Sequence, residues 1–199
     1  SVLAGDYLLA TSLVHAEQTN NYEIIRLVSS LGQKLAEGEL LKLSNVSNHS
    51  FSETVYFDVI RKKTAALFAA CTAAAAYSVG VSEEEVKLAR LLGEYIGICF
   101  QIKDDIFDYF DSKEILYALN RANDNQATEI ALKVKEGTAT LDEIARLIAF
   151  TKENGGIEYA VRTMNAYKQK AFGLLASLPD SAICVALRSY LDYVVDREK

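Results

Sequence analysis

The chain has 199 residues, half of them hydrophobic, and a formal net charge of −6 at pH 7. That length suits one domain with a substantial core, and the acidic balance argues against nucleic acid as the main partner. No apolar run reaches the ~18–20 residues needed to span a bilayer. The Ala-rich stretch 64–80 comes closest, but it follows Lys62 and Lys63, and residues 1–10 carry neither a basic leader nor a cleavage pattern.

A single proline, Pro179, among abundant Ala, Leu, Glu and Lys predicts an all-α domain. Apolar periodicity places helices at about 3–17, 22–43, 52–78, 83–111, 116–136, 141–153, 157–176 and 180–195. The first opens on Ser-Val-Leu-Ala-Gly-Asp, without an initiator Met or a cap, as though cut inside a helix. Ser50 with Glu53, Ser82 with Glu85 and Thr140 with Glu143 read as capping boxes. The helix through Val86–Phe110 is apolar nearly all round, so neighbours should enclose it, some of them lying upstream of Ser1. No repeat or interdomain linker interrupts the chain, and residues 1–199 read as one domain.

Three stretches bear on chemistry. In chain order, the first is Arg61-Lys62-Lys63-Thr64, which runs into a buried-looking helix. A lysine and a hydroxyl at such a boundary can bind phosphate, and a solvated basic face is the plainer reading. Next come the small side chains from Ala65 to Ala76, which either leave room for an apolar group or allow close helix packing. The third is Phe100–Phe110, where Asp104, Asp105 and Asp108 interrupt an apolar helix. Ionised groups are costly to bury unless paired or bound to a metal. At helical spacing Gln101, Asp104, Asp108 and Asp111 form one polar stripe, flanked by Ile98, Phe100, Ile102, Ile106, Phe107 and Phe110. Like charges at this spacing repel, so a cation should hold them, and hard oxygen donors suit Mg²⁺. Cys71, Cys99 and Cys184 are far apart in apolar helical surroundings and read as buried free thiols of a reducing cytoplasm, with no zinc spacing. Asp192 and Asp196 read as a solvated helix end.

These residues carry a resemblance to the trans-prenyltransferases, the polyprenyl diphosphate synthases of the isoprenoid synthase fold. It runs from Leu3-Ala4-Gly5-Asp6-Tyr7-Leu8-Leu9 through Glu37-Gly38-Glu39, Lys63-Thr64-Ala65-Ala66-Leu67-Phe68 and Gly97–Asp108 to Leu191–Arg197. It thus covers essentially the whole chain, and FQIxDDxxD is its most specific part. The resemblance implies a helical bundle around a central cavity. It implies an Mg²⁺-dependent condensation of isopentenyl diphosphate with an allylic diphosphate such as geranyl or farnesyl diphosphate, in a cytoplasmic homodimer. Carried over residue by residue, Asp104 is a direct Mg²⁺ ligand, and Asp105 and Asp108 support it directly or through water. Lys63 contacts the allylic diphosphate, while Thr64 and Gln101 line the same cleft.

Two departures stand beside it. The family's first aspartate-rich motif, with its paired arginines, belongs upstream of Leu3 and is absent here. After Asp111 the chain runs straight into Leu116-Tyr117-Ala118, where the family places a loop of the Gly-Lys-x-x-Gly-x-Asp kind. Lid residues left out of the sequence, truncation, or a non-catalytic subunit of a heteromeric synthase would each account for this. A class I terpene cyclase shares the fold, but Asp104–Asp108 counts against it.

Overall fold

The computed structural model describes residues 2–47, 52–108 and 113–198, apart from the side chains of 45–47, 108 and 113. The described residues are α-helical, without strands: α1 (Val2–Gln18), α2 (Tyr22–Ser47), α3 (Glu53–Ile60), a π turn (Arg61–Ala65), α4 (Ala66–Ser78), α5 (Glu83–Asp108), α6 (Lys113–Ala122), α7 (Asn125–Glu136), α8 (Leu141–Glu153), α9 (Gly156–Ala176) and α10 (Ala182–Asp196). The all-α expectation holds.

α5 is the axis of the bundle. It packs against α4, the π turn, α9 and α10, and its Leu92, Ile96, Ile98, Cys99 and Ile102 join Tyr56, Ile60, Ala160, Met164, Leu175, Leu191 and Val194 in the main core. Ile98, Cys99 and Ile102 are wholly inaccessible to solvent. Burial therefore pushes the Cys99 thiol up to about 12, a nearby Lys168 only partly offsetting it.

Close backbone approach explains the small residues. A Cβ added at Gly97 would lie 2.6 Å from the Ala65 Cα, and one at Gly93 would lie 2.4 Å from the Phe68 carbonyl oxygen. On the other side, a Cβ at Gly38 of α2 would meet the Lys63 amide nitrogen at 3.0 Å. Ala70 and Ala73 are buried in a second cluster with Leu27 of α2 and Val86 of α5. Close packing is thus the main use of the 65–76 stripe. Ala66, Ala69 and Ala70 also line a cleft of about 210 Å³, but charged Lys34, Glu37, Arg61, Lys62, Arg90 and Glu94 share its walls, so it is no slot for hydrocarbon alone.

Several expected elements need correction. The helix expected at 116–136 breaks at Asn123, which adopts φ 48°, a left-handed conformation that Asn tolerates. Asp124 then caps α7 by accepting from the Gln126 and Ala127 amides at 2.8 and 2.9 Å. The expected 52–78 helix is continuous but contains the π turn. Its start is capped by Ser52, which accepts from the Val55 amide; Ser50 lies outside the described residues. The Ser82–Glu85 and Thr140–Glu143 boxes form as expected, each with both reciprocal bonds. Cys71 is exposed, against expectation, while Cys99 and Cys184 are buried, and all three are free.

The Gly97 approach is testable in urea. Gly97→Ala should lose about 1–3 kcal/mol, the range for overpacking a close contact. Gly173→Ala in α9, where a Cβ would meet nothing within 4 Å, should be neutral or stabilising by up to ~1 kcal/mol. Equal stability of Gly97→Ala and wild type would contradict the packing.

Candidate active site

The π turn is the local feature from which the site is built. The Ala66 amide reaches the Arg61 carbonyl five residues back, so the turn takes up one residue more than a regular one. Tyr56 and Thr64, eight residues apart, would stand roughly 80° out of phase at 3.6 residues per turn. The wider turn brings both onto α5. π turns of this kind recur at functional sites.

There they form one hydrogen-bond chain. The Thr64 hydroxyl donates to Gln101 Oε1 at 2.6 Å, and Gln101 Nε2 donates to Asp105 Oδ1 at 2.8 Å. The hydroxyl of buried Tyr56 donates to Asp105 Oδ2. Asp105 is thus gripped from both sides, and its partner on the helix is Gln101 one turn before it. Asp104 sits beside it with a different counter-group: Arg197, just past the end of α10, donates Nη2 to Asp104 Oδ1. The same nitrogen lies 3.1 Å from the Phe100 carbonyl oxygen.

Lys63 projects from the π turn to Glu39 of α2, 2.7 Å away, and Lys62 to Glu37, 3.0 Å away. A hydrogen bond and the charge of Lys63 hold the Glu39 carboxyl below its usual range, and hydrogen bonds from Lys62 and Gln33 do the same for Glu37. Both pairs are about half exposed, so they are easily exchanged for another anion.

Thr64, Gln101 and Asp105 therefore come together as one bonded unit with Asp104 adjacent. Lys63, next to Thr64 in the chain, is not bonded into that unit: its ammonium lies on Glu39 of α2. Asp108 ends α5 one turn beyond Asp104, but its side chain, like all of Asp111, lies outside the described residues. Among the described residues no three His, Cys, Asp or Glu side chains cluster as a metal site. Mg²⁺, however, commonly needs only one or two protein carboxylates plus substrate phosphates, and the oxygens of Asp104 and Asp105 are donors of that kind. Asp196 is exposed and Asp192 half-exposed, yet both reach the largely buried Lys168 of α9, at 3.7 and 2.6 Å. Asp6 is exposed on α1.

Sequence reasoning gave no role to Tyr56, Glu39 or Arg197. The last two lie inside matched segments, which was the available signal. Tyr56 is 49 residues from Asp105 and carried none.

A family profile described as polyprenyl synthetase matches residues 1–164. The chain belongs to that family. It is similar to an octaprenyl diphosphate synthase of Haemophilus influenzae, 30% identical over 99% of this chain and 65% of the relative. It is also similar in structure to a geranylgeranyl pyrophosphate synthase of Bacteroides thetaiotaomicron, with 76% identity and a TM-score of 0.95 over 98% of this chain and 71% of that one. A polyprenyl synthase of Caulobacter crescentus, solved with calcium and isoprenyl diphosphate, matches at 27% identity and a TM-score of 0.89, over 98% of this chain and 65% of that one. The chain thus spans about two thirds of the length of such relatives. The Haemophilus alignment runs over 215 positions, more than the 199 residues here, so that relative carries residues inside the match that this chain lacks. Among the described residues no helix is long and apolar enough to cross a membrane.

The grip on Asp105 has a measurable consequence. Tyr56→Phe keeps the ring and removes one donor to a charged acceptor, so stability should fall by roughly 1–3 kcal/mol in chemical denaturation. An unchanged midpoint and slope would show that this bond does not hold the carboxylate.

Proposed function

We propose that this chain carries one of the two aspartate-rich motifs, and so half of the metal site, of an Mg²⁺-dependent trans-prenyltransferase. It would join isopentenyl diphosphate to an allylic diphosphate, geranyl or farnesyl diphosphate being the candidates. The observation that carries this reading is the bonded unit Thr64–Gln101–Asp105 next to Asp104. It sets the Thr64 hydroxyl of the π turn against the amide and carboxylate of α5, groups that would suit a phosphate and a cation. The complex of the Caulobacter relative with calcium and isoprenyl diphosphate supports a protein that takes both a divalent cation and a prenyl diphosphate.

Asp104 and Asp105, with Asp108 one turn on, would hold Mg²⁺, which when bound would neutralise the charge of the departing diphosphate. Lys63 would exchange Glu39 for the allylic diphosphate and hold it as a point charge. Thr64 and Gln101 would fix the Asp105 carboxylate and line the diphosphate site. The allylic C–O bond breaks with both electrons leaving on the diphosphate. The double bond of isopentenyl diphosphate then forms the new C–C bond, and the diphosphate released in the first step accepts the proton lost. No histidine is needed, and His15 bonds to Gln18 on exposed α1 instead.

A homodimer in the cytoplasm belongs to the same reading. Val2, Leu3, Tyr7, Leu8 and Leu9 of α1 are all more than half exposed, apolar surface of the kind that a neighbouring helix or a second copy covers. The free cysteines suit a reducing compartment.

The intact protein, incubated with farnesyl diphosphate, isopentenyl diphosphate and Mg²⁺, should yield longer prenyl diphosphates by chromatography. Asp104→Ala should lower turnover by at least ~10², the scale for removing one electrostatic stabiliser, with circular dichroism unchanged. Most activity retained, with normal Mg²⁺ dependence, would remove Asp104 from the site.

A further inference from the structure

Two adjacent carboxylates on a half-buried helix need a counter-charge before any metal arrives. Asp105 accepts hydrogen bonds from Tyr56 and Gln101. Asp104 is held by a cation supplied from 93 residues away, Arg197. The Arg197 side chain is only 16% exposed. Its guanidinium carbon stands 4.2 Å from the centre of the Phe100 ring and 5.9 Å from that of Phe107, so two aromatic faces hold it as well. The seat is imperfect. Among the described residues, buried Arg197 Nε finds no hydrogen-bond partner, a loss that an optimised structural salt bridge would avoid. The backbone at Arg197 has already left the helix, with φ −54° and ψ 140°, so its side chain can withdraw without unwinding α10.

We propose that Arg197 is the stand-in cation of this site: it neutralises Asp104 in the metal-free protein and gives way when a divalent cation binds that carboxylate. The inference rests on the reading of Asp104 as a metal ligand. It makes Arg197 a positioning residue that sets how readily the metal loads. The freed guanidinium, donor-rich and planar, is also suited to a phosphate oxygen close by.

A purely structural staple between α10 and α5 makes the opposite prediction for metal binding, so the test is affinity. Mn²⁺ is titrated into the intact protein without substrate and followed by electron paramagnetic resonance. Arg197→Gln, which removes the competing charge, should bind Mn²⁺ roughly tenfold more tightly. Phe100→Leu, which takes away the ring under the guanidinium but keeps the charge, should shift the same way by a smaller factor, and it serves should Arg197→Gln not fold. Asp104→Asn should lose most of the affinity. If Arg197→Gln and Phe100→Leu bind Mn²⁺ no more tightly than wild type while Asp104→Asn loses it, the stand-in role is wrong and the metal site stands. If Asp104→Asn binds Mn²⁺ as well as wild type, the metal reading fails and the inference falls with it.

Discussion

The π turn at Arg61–Ala65 is wedged between two glycines, Gly38 on α2 and Gly97 on α5, and the site depends on that wedge. A side chain at either glycine would strike the backbone or stem of the turn, at 3.0 Å from one side and 2.6 Å from the other. Helices packed through ordinary side chains stand 8–10 Å apart; glycine lets these come closer. Only at that closeness can a side chain as short as Thr64 bond directly to Gln101. The wider turn then corrects the phase, so that Tyr56 before it and Thr64 within it address the same stretch of α5. π turns are rare within helices, and here the packing on both sides holds one in place.

From this geometry follows a division of labour among charges. The carboxylates lie on α5, one accepting hydrogen bonds from Tyr56 and Gln101 and one paired with a guanidinium. The ammonium groups of Lys62 and Lys63 lie across on the π turn, held by exposed glutamates of α2 that compete weakly for them. Acid and base are kept apart by separate partners rather than collapsing onto each other. Under the proposed function, an arriving diphosphate would meet lysines whose glutamate partners exchange easily. The exception is Asp104 with Arg197, an ion pair whose arginine side chain is only 16% exposed.

Much of this was legible in the sequence, for identifiable reasons. Helix positions follow from local periodicity, and the Ser82–Glu85 and Thr140–Glu143 boxes need only four consecutive residues. Asp104 and Asp105 stood out because charge in an apolar run is costly wherever the run ends up. The break at Asn123 was hidden because Asn carries a left-handed backbone without the glycine that usually marks it. The π turn was hidden because nothing in Arg-Lys-Lys-Thr-Ala disfavours a regular helix; the cause sits on α2 and α5, 20 to 40 residues away. Tyr56 and Arg197 reach the aspartates across 49 and 93 residues, distances at which a single sequence holds no local rule.

The central claim is that a π turn holds the phosphate-binding and metal-binding groups in register. A crystal structure of the intact protein with Mg²⁺ and a non-hydrolysable allylic diphosphate analogue tests it most directly. The account predicts a π turn kept at 61–65, Thr64 still on Gln101, a metal ion on the oxygens of Asp104 and Asp105, and Lys63 moved from Glu39 to the diphosphate. A regular α-helix through 61–65 with Thr64 turned away from Gln101, or a metal bound elsewhere, would contradict it.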